Sequence, residues 1–200
     1  MRELQTGLWW WEGRHPDWTA EDDAANREWG PEVSSYAVDQ LDRLLLIDPI
    51  SPPAPILALA AERETVIVLT NTWHERDAPS VSERLRAPVF APPDDDGKGI
   101  TMPAQLFSAG DQLPFGVEAF PGRSPYDVLL WVESHRAVAI GDTLIDRGQG
   151  IELLESWLAE GVTREQVVEG LRPLLERPVE FVLPTHGAPT DRAALEHALT

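Results

Sequence analysis

The chain contains no cysteine. That excludes disulfides, thiolate catalysis and every zinc site built on sulfur. It contains a single lysine, Lys98, and acids outnumber Lys and Arg 34 to 16, for a formal net charge of −18. Binding to a phosphate backbone depends on clustered bases that release counterions, so this balance argues against nucleic acid. An anionic membrane surface is disfavoured for the same reason. No run approaches the ~18 uninterrupted apolar residues of a membrane span. The opening stretch MRELQTGLWWWEGR has no apolar segment followed by a small-residue cleavage site, so the expectation is a soluble, cytoplasmic protein. The motifs G-x-S-x-G, P-loop and G-x-G-x-x-G are also missing, which leaves a serine nucleophile unsupported and gives no dinucleotide fingerprint. Asp94–Gly99 begins like a calcium loop, but the twelfth position is Gln105 rather than Glu, and that reading is rejected.

What is present is ordinary globular material. The chain has 200 residues, 42% hydrophobic and 25% charged, enough for one domain over residues 1–200 with a sizeable core. Strand-like and helix-like pieces alternate. Gly7–Trp11 (GLWWW) is rich in β-formers, and alternation puts Trp9 and Trp11 on one face and Trp10 on the other. Glu32–Val38 and Arg43–Ile47 read as a hairpin across the polar turn Asp39–Asp42. Ile56–Arg63 follows two prolines as a short helix. Thr65–Leu69 (TVIVL) is a continuous apolar run, suited to a strand covered on both faces. Ala78–Leu85 reads as a helix, Pro88–Ala91 as a strand and Pro92–Gly99 as a loop. Val117–Phe120, Asp127–Val132 and Ala137–Ile140 follow as strands, the last two joined by a turn at Glu133–Arg136. Thr163–Glu176 is a helix opened by a Thr163/Gln166 capping box, with Val167, Val168, Leu171, Leu174 and Leu175 on one face. Phe181–Leu183 is a strand and Asp191–Leu199 a closing helix.

Three segments share one design: an apolar strand that stops at a polar cluster. They are IVLTNTWHERDA, AVAIGDTL and FVLPTHGAPT. In α/β proteins ligands bind at the carboxyl ends of strands, so Asp142 and His186 are expected to converge on Asn71–Asp77.

The ordered set of frames resembles the metallo-β-lactamase superfamily, over most of the chain from about Trp9 onward. That family carries an apolar strand followed by T-H-x-H-x-D-H, then P-G-H, a G-D-T-L turn and a near-terminal L-P-x-H-G. Here Leu46-Ile47-Asp48-Pro49 resembles an early strand of the family. Gly141-Asp142-Thr143-Leu144 matches the Asp turn, and Leu183-Pro184-Thr185-His186-Gly187 matches the final His turn. The resemblance implies an α/β (α+β) fold, the αββα four-layer sandwich, and a family of metal-dependent hydrolases that work through metal-activated water.

The ligands depart from the frames. With Thr70 in register, the first four ligand positions hold Asn71, Trp73, Glu75 and Arg76. The P-G-H frame reads Pro121-Gly122-Arg123. Only Asp142 and His186 keep the family's residues, and Glu75 is an Asp-to-Glu exchange. Trp has only a donor and Arg is permanently charged, so neither can ligate. The arginines are expected to neutralise Glu75 or Asp142 by ion pairing. Trp73 is expected to fill the volume that metals would occupy, and His74 to face solvent. His15 is placed near the pocket rim.

The leading expectation is a degenerate metal site: a non-catalytic binding or interaction module with a pocket of Asn71, Trp73, Glu75, Arg76, Arg123, Asp142 and His186. No metal or other cofactor is expected, and the partner is an unspecified small molecule or protein. The alternative is a hydrolase with one divalent metal, such as zinc, at Glu75, Asp142 and His186. There His186 or Asp142 would be the catalytic group acting on a water. A third reading is a structural homodimer through the Trp-rich N-terminus.

Overall fold

Period-two alternation and β-branched runs dominate the first half of the chain, and they form one sheet. In the computed structural model, which describes residues 1–24, 29–94 and 99–200, the strands are β1 (Arg2–Gln5), β2 (Leu8–Arg14), β3 (Glu32–Asp39), β4 (Arg43–Ile47), β5 (Glu64–Val68), β6 (Val89–Ala91) and β7 (Gln105–Leu106). They hydrogen-bond in chain order, antiparallel from β1 to β4 and parallel from β4 to β7. The β4–β5 and β5–β6 crossovers are the helices α2 (Ala54–Ala61) and α3 (Ala78–Leu85); a short α1 (Ala20–Ala24) precedes β3. The loop reading Pro92–Gly99 and the rejected calcium stretch fall partly outside the described residues.

The second sheet contains β8 (Gln112–Leu113), β9 (Val117–Ser124), β10 (Asp127–Val132), β11 (Ala137–Ala139), β14 (Phe181–Leu183) and β15 (Thr190–Asp191). Its spatial order is β15-β14-β11-β10-β9-β8, and β12 (Ile145–Asp146) and β13 (Ile151–Glu152) form a separate ribbon. Helix α4 (Arg164–Leu171) has the expected capping box: Gln166 N–H donates to the Thr163 hydroxyl and Thr163 N–H to the Gln166 side chain. The α-ladder ends earlier than the sequence suggests, because Pro173 has no N–H to continue it, and Arg172–Glu176 tightens into a 3₁₀ turn. The last helix, α5 (Arg192–Ala198), is capped by Asp191.

Three apolar clusters define the layers. One lies between the sheets, with Tyr36, Val38, Leu45 and Val68 facing Val117, Val128, Leu130 and Leu183. A second packs α4 and α5 on the outer face of the second sheet, through Val167, Leu171 and Leu195 against Leu129, Val138 and Val182. The third packs α2 and α3 on the first sheet, through Ile56 and Val81 against Leu44, Leu46 and Ile67. This is the expected αββα sandwich. Trp11 is 2% exposed in the third cluster and donates its indole N–H to Ile50 O. Trp10, on the opposite face, packs on the first cluster. Among the described residues no helix is long and apolar enough to cross a membrane.

Candidate functional site

Both sheets end at one place, and backbone bonds fix the convergence. Val128 N–H donates to Thr70 O and Thr72 N–H to Tyr126 O, which ties the end of β5 to the start of β10. Ser34 N–H donates to Thr185 O, and the Tyr36 hydroxyl to Pro184 O, which ties β3 to the loop after β14. Two frame glycines have steric reasons. Gly141 has φ +53°, and a Cβ there would meet Asp127 Oδ1 at 2.5 Å. Gly187 has φ +113°, against Asp146. Only a residue without Cβ suits either position.

The floor of the site is His74, Asp142 and His186. His74 Nε2 lies 3.1 Å from Asp142 Oδ1, and His186 Nε2 lies 3.3 Å from the same oxygen. On its other side His74 Nδ1–H donates to Asp48 Oδ2 at 3.1 Å. Asp48 is 1% exposed and also accepts from the Thr70 N–H and hydroxyl. Burial alone would raise its pKa, but the adjacent His74, with Arg76 and Thr70, outweighs burial and holds the carboxyl below its ordinary range. Burial would likewise lower the His74 pKa. Asp142 and Asp48 overcome that and raise it to about 9. Asp142 is held well below the usual carboxylate range, since His74 and His186 outweigh its burial. His186 goes the other way, because burial lowers its pKa. Its Nδ1 is buried and has no hydrogen-bond partner among the described residues.

The other flank of Asp142 is built differently. Asp142 Oδ2 accepts from Asn71 Nδ2 at 3.1 Å and lies 3.9 Å from Arg123 Nη2. Arg123 is bound mainly to Asp127, with Nε to Oδ2 at 2.8 Å, and it donates from Nη1 to Trp157 O. Asp127 is fully buried and also accepts from Asp142 N–H and the Thr143 hydroxyl. Burial and the charge of Asp142 raise its pKa to about 6, against the pull of Arg123.

Above the floor opens a cavity of about 400 Å³. Its walls are aromatic, with Trp29, Trp73, Trp157 and His15, and its rim carries Asp17 and Asp22. The rings form a chain: Trp29 lies 4.9 Å from His15 and 5.0 Å from His186, which lies 6.2 Å from Trp157. Burial, with the charge of Arg76, lowers the His15 pKa to about 4, so its ring is neutral at pH 7.

No family model matches the sequence, and no curated protein matches it. Solved structures do match. The di-iron-bound form of TTHA1623 is 26% identical with a TM-score of 0.61, over 84% of this chain and 95% of that one. The B3 metallo-β-lactamase BLEG-1 is 18% identical with a TM-score of 0.63, over 85% and 95%. The mono-zinc form of the FIM-1 metallo-β-lactamase from Pseudomonas aeruginosa is 13% identical with a TM-score of 0.68, over 98% and 91%. The chain has the metallo-β-lactamase fold.

Within that fold, several expectations need correction. His74 does not face solvent: it is 3% exposed and central to the site. Glu75, taken as a pocket residue, turns away and accepts from the Thr101 N–H and hydroxyl. Trp73 does not fill a metal-sized void; it is 46% exposed at the cavity wall. Arg76 pairs with neither Glu75 nor Asp142. It donates to the carbonyls of Ser34 and Asp48, at a backbone φ of 41°. Arg123 does reach Asp142, but through a contact longer than its bond to Asp127. Asn71, Arg123 and His186 lie around the Asp142 carboxylate, and Trp73 lines the same cavity. Asp48 and Asp127 were missed as site residues, although each follows an apolar strand or opens one at the same end of the sheets.

The expectation of no metal is also corrected. His74, Asp142 and His186 each offer one ligand atom, all within 4.8 Å of one another, and a structurally similar protein has been solved with two irons. Two of the three donor edges match the spacing around one divalent ion, and the third lies within 4.8 Å. Ligand atoms about 2.05 Å from a tetrahedral zinc sit about 3.3 Å apart, and Asp142 Oδ1 lies 3.1 and 3.3 Å from the two imidazole Nε2 atoms. A carboxylate behind the ligating imidazole, here Asp48 on His74, is the usual support of such a site. A second ion fits poorly, because the Arg123 guanidinium stands on the other flank.

Proposed function

We propose that the protein is a hydrolase with a remodelled mononuclear site, in which His74, Asp142 and His186 hold one divalent ion. The single observation that carries this reading is the convergence of two imidazole Nε2 atoms on one oxygen of Asp142. Three protein ligands with an open position are the pattern of catalytic rather than structural metal sites. An ion bound there would polarise a substrate carbonyl and lower the pKa of a coordinated water. The chain's own residues do the rest. Asp48 accepts the Nδ1 proton of His74 and so leaves its Nε2 lone pair for the ligand position. Asn71 and Arg123 engage the second oxygen of Asp142 and fix the rotation of its carboxylate. The indoles of the cavity restrict water and present an apolar wall to the substrate. The test is hydrolysis of p-nitrophenyl acetate by zinc-loaded protein. Activity should depend on added zinc and fall at least about a hundredfold in His74→Ala. Equal activity in that variant would end the proposal.

A second reading has its own observation. Arg123 occupies the flank where a second ion would sit, and Asp127 and Asp142 hold it there. A site of this kind also suits a module that binds a ligand without turning it over. Tight zinc binding with no hydrolysis of simple esters, amides or thioesters would favour it.

A further inference from the structure

The cavity wall has a chemistry of its own, which the metal-site reading does not use. Three indoles line it, from Trp29, Trp73 and Trp157. Trp is the strongest aromatic partner for a cation over its face. The acids facing the cavity are Asp17 and Asp22 at the rim and Asp142 at the floor. The cationic groups among the described lining residues are His74, which sits between Asp48 and Asp142, and Arg123. The Arg123 guanidinium is held by Asp127 at 2.8 Å and packs 5.5 Å from the Trp157 ring. No unpaired Arg or Lys among them stands ready to receive a carboxylate or phosphate. The formal net charge of −18 adds a long-range field of the same sign.

We propose that the pocket selects substrates bearing an ammonium or alkylated ammonium group, which settles between Trp29 and Trp73 under the rim acids, and that it discriminates against anionic substrates. This rests on the hydrolase reading for the word substrate; the charge preference itself belongs to the cavity and is measurable without turnover.

The test uses three benzyl probes that differ in charge: benzyltrimethylammonium, benzyl alcohol and phenylacetate. Each is titrated by calorimetry against chelator-treated protein and against zinc-loaded protein, at ~0.15 M salt where surface fields are largely screened. In chelator-treated protein the ammonium should bind at least about tenfold more tightly than phenylacetate, with the alcohol between them; in zinc-loaded protein, where a carboxylate can take the open position on the ion, the ammonium should still bind more tightly than the alcohol. Trp73 is 46% exposed, so its replacement does not threaten the fold. Trp73→Ala should weaken the ammonium about fivefold, in the range expected of one cation–π partner, and Trp73→Phe should restore most of the loss. Asp17→Asn should narrow the preference for the ammonium over the alcohol. Phenylacetate binding as tightly as the ammonium to chelator-treated protein, an unchanged ammonium affinity in Trp73→Ala, or no binding of any probe would overturn the proposal. Zinc content, measured on the same samples, keeps the two ideas apart. Absent zinc with the charge order intact counts against the hydrolase reading alone. A lost charge order with zinc retained counts against the ammonium site alone.

Discussion

On one flank of Asp142 stand His74 and Asp48; on the other stand Arg123 and Asp127. Each flank is a buried carboxylate, a nitrogen base and the shared Asp142. The difference lies in the base. An imidazole can give up its proton and offer a lone pair. A guanidinium keeps its charge and offers only donors. The His74 flank can therefore exchange a proton for a metal ion, while the Arg123 flank is a permanent internal cation. Similar acids thus support two kinds of site, and the side chain opposite them decides which.

The largest effect should come from breaking the fixed flank. Arg123→Ala leaves Asp127, 0% exposed, without its guanidinium. Removing one partner of a buried pair costs about 3–5 kcal/mol, which urea denaturation would register. A loss below ~1 kcal/mol would mean that the Asp142 N–H and the Thr143 hydroxyl suffice for Asp127.

The exchangeable flank should show itself through pH. In chelator-treated protein the folded pKa of His74 is raised from 6.5 to about 9. Folding therefore favours the protonated ring. That stabilisation is fully present below pH ~6.5 and is lost as pH rises through the folded value, by about 3 kcal/mol in all. Urea midpoints from pH 6 to pH 10 would trace it, and His74→Gln should flatten the curve. A parent profile that is already flat would mean that His74 is not held as an imidazolium between the two acids.

A smaller effect separates the ligand from its support. Asp48→Asn keeps an acceptor near His74 but removes the charge. Zinc affinity of the folded variant should fall by about 10- to 100-fold, as for other residues behind a ligating histidine. Competition titration with a chromophoric chelator would measure it, and an unchanged affinity would place His74 outside the coordination sphere. The smallest effect sharpens the contrast with the sequence-derived ligand set. Glu75→Gln should leave zinc affinity unchanged and cost about 1 kcal/mol through its bonds to Thr101. A large loss of zinc affinity would restore Glu75 as a ligand.

The parts of the fold legible in the sequence are those with strong local signals. The strands after Arg43, Thr65, Asp127 and Phe181 are short, apolar and bounded by polar turns. The capping box marks α4, and the glycine frames mark the turns that carry Asp142 and His186. The first site loop was misread for a local reason. Asn71 Oδ1 accepts from Trp73 N–H and caps a 3₁₀ turn over Thr72–His74. Within such a turn three residues complete one revolution, so side chains do not alternate as they do in extended chain. His74 points to the floor and Glu75 away from it, the reverse of the order read from T-H-x-H-x-D-H. A partial signal was present, because His74 and Asp77 form an H-x-x-D in a shifted register. Asp127 carried no motif that sets it apart from surface acids, and Asp48 stands in the Leu46–Pro49 frame, which reads as a strand and not as part of the site. Their role depends on burial, which only the packed sheets create.

The central claim is one ion, on one flank, held by His74, Asp142 and His186. Its most direct test is the zinc stoichiometry of folded protein after reconstitution and dialysis, for the parent beside His74→Ala and Glu75→Gln. The account predicts one ion per chain in the parent and in Glu75→Gln, and none retained in His74→Ala. Two ions in the parent, none in the parent, or one retained in His74→Ala would contradict it.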